Sequence, residues 1–203
     1  MTSENQDWQK EILADTLNQA LSDLRTKVDG LCDYDRRRPM TTTGTNLLGL
    51  IKHVASITIG YFGVTFDRDP GIELLWFTEE AEEGADLWVP ADESTDYILD
   101  LYARSQAVAQ ATIDALDLDC EGYVPWWHPD KRHVTLTRIL VHCIAEIQRH
   151  AGHADILREL IDGEVGRYPG DVCIPDITTD QWAAYRAQID AAARQVDPGN
   201  LST

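Results

Sequence analysis

Residues 136–163 read LTRILVHCIAEIQRHAGHADILRELIDG, the longest uninterrupted helical pattern in the chain. Leu136, Leu140, Cys143, Ile147, His150, Ala154, Leu157 and Ile161 step by three and four, which places them on one face of an α-helix. His150 therefore sits inside an otherwise apolar row. His142, Glu146 and His150 fall at i, i+4 and i+8 and form a polar ridge beside that row. Side chains four apart have Cβ atoms about 5–6 Å from one another, so the Glu146 carboxylate and the His150 imidazole reach one cation with bonds of about 2.0–2.2 Å. The same spacing also serves a plain Glu–His pair, or pairing with Arg149 and Arg158 on a charged flank, and the helix alone does not decide between these readings. His142 is not expected to share an ion with His150. Along a straight helix the two are about 12 Å apart at 1.5 Å per residue, whereas two atoms on one tetrahedral ion lie about 3–3.5 Å apart.

Upstream, Trp8, Ile12, Leu17, Leu21, Leu24 and Val28 mark an amphipathic helix from about residue 5 to Gly30. Residues 31–42 hold Asp33, Arg36, Arg37, Arg38 and Pro39 and read as a connecting loop with a solvated arginine triplet. Thr43 or Thr45 is then expected to cap a second helix over about 44–66, with Leu47, Leu50, Ile51, Val54, Ile57 and Tyr61 on one face. His53 stands at the edge of that face, and on this segment alone it reads either as a hydrogen-bonded core histidine or as a ligand. Residues 72–92, with the acidic run Glu79, Glu80, Glu82 and Glu83, form a long connection. A third helix follows from about Ser94 to Leu116, alanine-rich at its centre.

Residues 117–134 read as a loop, with no alternating strand pattern, and Trp126 and Trp127 in it are expected to plug the open end of the helical core rather than wall a binding site. His128, Lys131, Arg132 and His133 are expected to be exposed. Beyond Gly163 an irregular stretch with Gly166, Pro169, Gly170 and Pro175 leads to a final helix at about 178–196, through Trp182, Tyr185, Ile189 and Val196, expected to pack outside the bundle.

At 203 residues with 43% hydrophobic content, the chain suffices for one substantial core, and a single domain over 1–203 is the expectation. A net charge of −18 repels phosphate backbones and anionic lipid, which argues against nucleic acid or a membrane surface as partner. The first twenty residues lack a basic and then apolar leader pattern, and no stretch is read as reaching the ~20 apolar residues of a membrane span. A cytoplasmic protein is expected. Cys32, Cys120, Cys143 and Cys173 are scattered without a C-x-x-C, so neither a disulfide framework nor a thiolate zinc site is signalled.

The histidine at the edge of the second helix, the long helix with Glu146 and His150, and the following Ala151-Gly152-His153-Ala154-Asp155 together resemble the DinB/YfiT-like metal-binding superfamily. The resemblance spans nearly the whole chain and looks closest to the mycothiol-dependent maleylpyruvate isomerases. It implies an all-α, up-down-down-up four-helix bundle over about 5–163, with an additional C-terminal helix. It also implies a divalent ion, zinc above all, on His53, Glu146 and His150, with His153 near but not bound to it. The string Arg158 to Gly163 is similar to a subgroup with no assigned reaction. Two His and one Glu leave coordination positions open, as in catalytic rather than structural zinc sites, and a thiol is the natural occupant. The activity implied is metal-dependent activation of a low-molecular-weight thiol such as mycothiol for transfer or isomerisation of a small-molecule substrate. The alternative is a non-catalytic metal-binding, stress-related or dimerising protein; a homodimer is also part of what the resemblance implies.

Overall fold

The computed structural model describes residues 3–168 and 170–196. Its residues form two compact units, Met1–Pro169 and Gly170–Thr203. The first contains helices α1 (Ser3–Thr26), α2 (Asp33–Arg37), α3 (Leu47–Phe62), α4 (Thr95–Ala115) and α5 (Leu136–Asp162). It also contains a hairpin of two short antiparallel strands, β1 (Glu121–Tyr123) and β2 (His133–Thr135).

The four long helices make the bundle, with α1 against α4 and α5, and α3 against α4 and α5. Their inward rows meet in one core: Leu17, Leu21 and Leu24 from α1, Leu48, Ile51 and Val54 from α3, Ile98 and Leu101 from α4, and Ile139, Leu140 and Ile147 from α5 are all essentially inaccessible. Each such side chain stabilises the fold by about 1.5–3 kcal/mol relative to exposure. Tyr102 is buried with them, and its hydroxyl donates to the Leu21 carbonyl at 2.7 Å, so the polar atom is satisfied. The connection over residues 63–94 is long enough to return the chain before α4 begins, as the up-down-down-up order of this all-α bundle requires. Helix α5 starts where Thr135 accepts from the Arg138 amide and stops at Gly163, whose φ of 80° suits glycine.

Several local expectations need correction. The segment 31–42 is not all loop, because Asp33–Arg37 closes a helical turn. Nor is the arginine triplet solvated throughout: Arg37 donates to the carbonyls of Val89, Pro90 and Glu93 and to Thr95 Oγ1. Asn46, not Thr43 or Thr45, caps α3 by accepting from the Gly49 amide at 2.8 Å. The α-helix ends at Phe62, and Val64–Phe66 is a 3₁₀ turn. Residues 117–134 carry β1 and the approach to β2, too short to show an alternating pattern. Finally, the stretch Leu47–Phe66 does have the length and apolarity of a membrane span, but 78% of that window is buried inside the protein, which marks it as the core helix.

The second unit holds helix α6 (Thr179–Val196). Thr178 and Gln181 cap its start reciprocally, the Gln181 amide donating to Thr178 Oγ1 at 3.3 Å and the Thr178 amide to Gln181 Oε1 at 2.8 Å. Trp182 and Tyr185 stack edge-on with ring centroids 6.0 Å apart, and no residue of the helix is buried.

Candidate metal centre

Helix α3 projects His53 toward α5, where Glu146 and His150 stand one turn apart. One ligand atom from each of the three lies within 4.8 Å of the others. His150 Nε2 is 3.1 Å from Glu146 Oε1, and the His53 and His150 rings meet edge-on with centroids 4.8 Å apart. All three side chains are partly shielded, at 18, 32 and 13% exposure for His53, Glu146 and His150. The other ring nitrogen of His150, Nδ1, is buried and has no hydrogen-bond partner. Two imidazoles and a carboxylate brought this close are a donor set a divalent ion takes.

The protonation states agree with that use. Burial, and then the neighbouring His53, push the His150 pKa below its ordinary value, with Glu146 opposing. His150 is therefore held neutral, the form that ligates. His53 Nδ1 lies 2.5 Å from Asp86 Oδ2. With Nδ1–H donated to Asp86, the lone pair of Nε2 is left for an ion, the arrangement by which outer carboxylates orient metal-bound histidines. Burial alone would raise the Asp86 pKa, but the hydrogen bond to His53, first among the opposing causes, leaves it lowered.

Asp86 belongs to the long acidic connection, and α3 holds that connection close. A Cβ on Gly49 would lie 2.0 Å from the Leu87 carbonyl oxygen, so only glycine admits the approach. Asn46 Nδ2 donates to the same oxygen at 3.3 Å. Lys52, almost fully buried, donates to the Trp88 carbonyl at 3.2 Å, pairs with Glu93 Oε2 at 2.9 Å and sits 4.1 Å from the Trp76 ring centroid.

A cavity of about 820 Å³ opens beside the cluster, lined by His53, Glu146 and Asp86 and by an apolar wall that includes Ile57, Ile72, Leu74, Phe77 and Trp126. Trp126 is half exposed and faces this space, so it walls the cavity, contrary to the plug expected from sequence; Trp127 packs partly buried against the core. Gly60 makes room for Trp126, since a Cβ there would lie 3.3 Å from the indole. His142 is outside the three-residue cluster. Its Nε2 lies 2.9 Å from the Tyr61 hydroxyl, and burial lowers its pKa. His153 stacks on His150 at 5.5 Å between centroids, and His128 and His133 are exposed. Sequence reasoning missed Asp86 and the polar role of Tyr61. Tyr61 was visible only as one more member of an apolar face, and nothing in the spacing of the acidic connection singled out Asp86.

No curated protein matches the chain. Among solved structures, a conserved protein of Enterococcus faecalis superposes with a TM-score of 0.54 at 19% identity, covering 76% of this chain and 97% of that one, which supports the helical-bundle fold. Residues 12–163 match the model of the mycothiol-S-transferase family. That span runs from the first helix of the bundle to the glycine that ends α5, so it includes the whole ligand cluster. On that match, the chain belongs to the mycothiol-S-transferase family.

Proposed function

We propose that this protein is a cytoplasmic, divalent-metal-dependent transferase that joins mycothiol to a small electrophile. The observation that carries the reading is the convergence of His53, Glu146 and His150, with His53 and Glu146 lining a large, mostly apolar cavity. These three side chains would hold the ion, and a set of two imidazoles and one carboxylate favours zinc. When bound, such an ion supplies Lewis acidity that deprotonates a coordinated thiol at neutral pH.

The remaining work falls to the protein. Asp86 fixes the His53 ring and its tautomer. Glu146 brings a negative charge that balances part of the ion's charge beside the neutral imidazole of His150. The apolar wall receives the electrophile and keeps water from it, so that sulfur and not water is the nucleophile. Transfer is preferred over isomerisation because the family is one of S-transferases.

The test is direct. Zinc-loaded protein incubated with mycothiol and an aryl halide is expected to consume thiol faster than a protein-free control, and His53→Ala should abolish the difference. Equal rates with and without protein would contradict the reading. A homodimer remains the expectation of the fold resemblance, checked by light scattering.

A further inference from the structure

The cavity beside the ligand cluster has a composition that selects between the two reactants. Its wall carries Ile57, Val64, Ile72, Leu74, Phe77 and Trp126. A thiol borne on sugar rings, as mycothiol is, would leave hydroxyls unpaired against this apolar part of the lining, which is costly. The space suits the other reactant, provided that reactant has an apolar body.

Tyr61 and His142 interrupt the apolar wall as a hydrogen-bonded pair. The direction of the two indole bonds follows from the donors present. An indole N–H only donates, so Trp127 Nε1 at 3.0 Å and Trp126 Nε1 at 3.5 Å both point hydrogens at the Tyr61 oxygen. The contact with His142 Nε2 at 2.9 Å takes its direction from the His142 tautomer: with Nε2–H donating to the phenol oxygen, the Tyr61 hydroxyl proton is left for a group in the cavity. In that arrangement the phenol is a donor at the edge of an apolar space, and the imidazole beside it is a route for replacing its proton.

We propose that this cavity is a subsite for an apolar α,β-unsaturated ketone or aldehyde, and that Tyr61, resupplied through His142, protonates its carbonyl oxygen as sulfur adds. This rests on the transferase reading for the source of sulfur. The new C–S bond forms at the β-carbon, the π pair of the C=C bond shifts to give an enolate, and the Tyr61 O–H bond breaks toward the enolate oxygen. Water returns a proton to Tyr61 by way of His142, while the proton of the thiol has gone to water. The enol then exchanges with water to the ketone. The net change is addition of S–H across the C=C bond.

Two measurements test this. In the first, metal-free protein is titrated calorimetrically with benzylacetone, a saturated ketone that cannot react, and with butylbenzene, its near-isosteric hydrocarbon. Wild type should bind the ketone about fivefold more tightly, as one hydrogen bond warrants, and Tyr61→Phe should lose that preference. In the second, mycothiol is offered benzalacetone, whose oxygen needs a proton, or chlorodinitrobenzene, whose chloride leaves without one. The ratio of the first rate to the second should fall about a hundredfold in Tyr61→Phe, the contribution typical of a positioned acid, and in the same direction in His142→Gln. A ratio unchanged in both variants, or equal binding of ketone and hydrocarbon by wild type, would overturn the proposal. Wild type that prefers the ketone yet conjugates neither compound would support the subsite and sink the transferase reading.

Discussion

Asp86 Oδ2 lies 2.5 Å from His53 Nδ1, so a residue of an acidic connection governs the orientation of a histidine on the core helix α3. The pairing occupies Nδ1 and leaves Nε2 as the ring nitrogen available to the candidate cluster. It also explains why the connection is tied to α3 at Gly49, Asn46 and Lys52, all within two turns of His53.

Asp86→Asn is expected to weaken zinc binding about 10–100-fold, the usual effect of removing an outer carboxylate from a metal-bound histidine. Competition with a chromophoric chelator measures it. Affinity equal to wild type would mean that His53 is positioned by other contacts or does not bind the ion.

Gly49→Ala should damage the same site from a distance. The added Cβ meets the Leu87 carbonyl at 2.0 Å, and neither helix backbone nor that carbonyl moves cheaply. A loss of about 1–3 kcal/mol in stability is expected from overpacking of this kind, together with weaker zinc binding as Asp86 shifts. Denaturant unfolding and the chelator assay read the two effects; a variant as stable as wild type would show that residues 86–88 are free to withdraw.

Much of this architecture was legible in sequence because long helices advertise themselves. The three-and-four stepping from Leu136 to Ile161 and the glycine at 163 fixed α5 to within a residue, and the start expected for α4 at about Ser94 coincides with the residue that caps it. What failed was whatever depended on contacts between distant segments. Arg37 looked solvated because nothing local reveals that three carbonyls near residue 90 await it. Trp126 was placed in a plug because a loop tryptophan carries no sign of which side of the core it will cover. Asp86 was one acid among many until the fold brought it to His53. The His53–Glu146–His150 grouping was reached through the family resemblance, since the spacing on α5 alone left a simple ion pair open.

Acid should destabilise the metal-free protein. Both His150 and His142 have pKa values lowered below their ordinary value, in each case first by burial, while in the unfolded chain they return to about 6.5. Below that pH the unfolded state binds more protons than the folded state, so stability falls as pH drops through about 6.5 toward the folded values. The melting temperature should decline from about pH 7.5 to 5.5, and His142→Gln should soften the decline by removing one of the two groups. A melting temperature that holds or rises over this range would contradict the neutral state assigned to them.

Lys52 offers a check on how the connection is held. Its ammonium is buried against Glu93, the Trp88 carbonyl and the Trp76 ring. Lys52→Ala should cost about 3 kcal/mol, as when one partner of a shielded ion pair is removed, and Lys52→Met should cost less because it refills the space. Thermal melts of the two variants decide this. Equal, small losses would show that the pair contributes little.

The central claim is that His53, Glu146 and His150 together hold one divalent ion, and metal content tests it most directly. Protein purified without an affinity tag, supplied with zinc and then freed of loose metal, should retain about one zinc per chain, as three protein ligands warrant. His53→Ala and Glu146→Ala should retain little, whereas His142→Gln should retain as much as wild type. Wild type as poor in metal as the His53 and Glu146 variants, or variants as rich as wild type, would contradict the site.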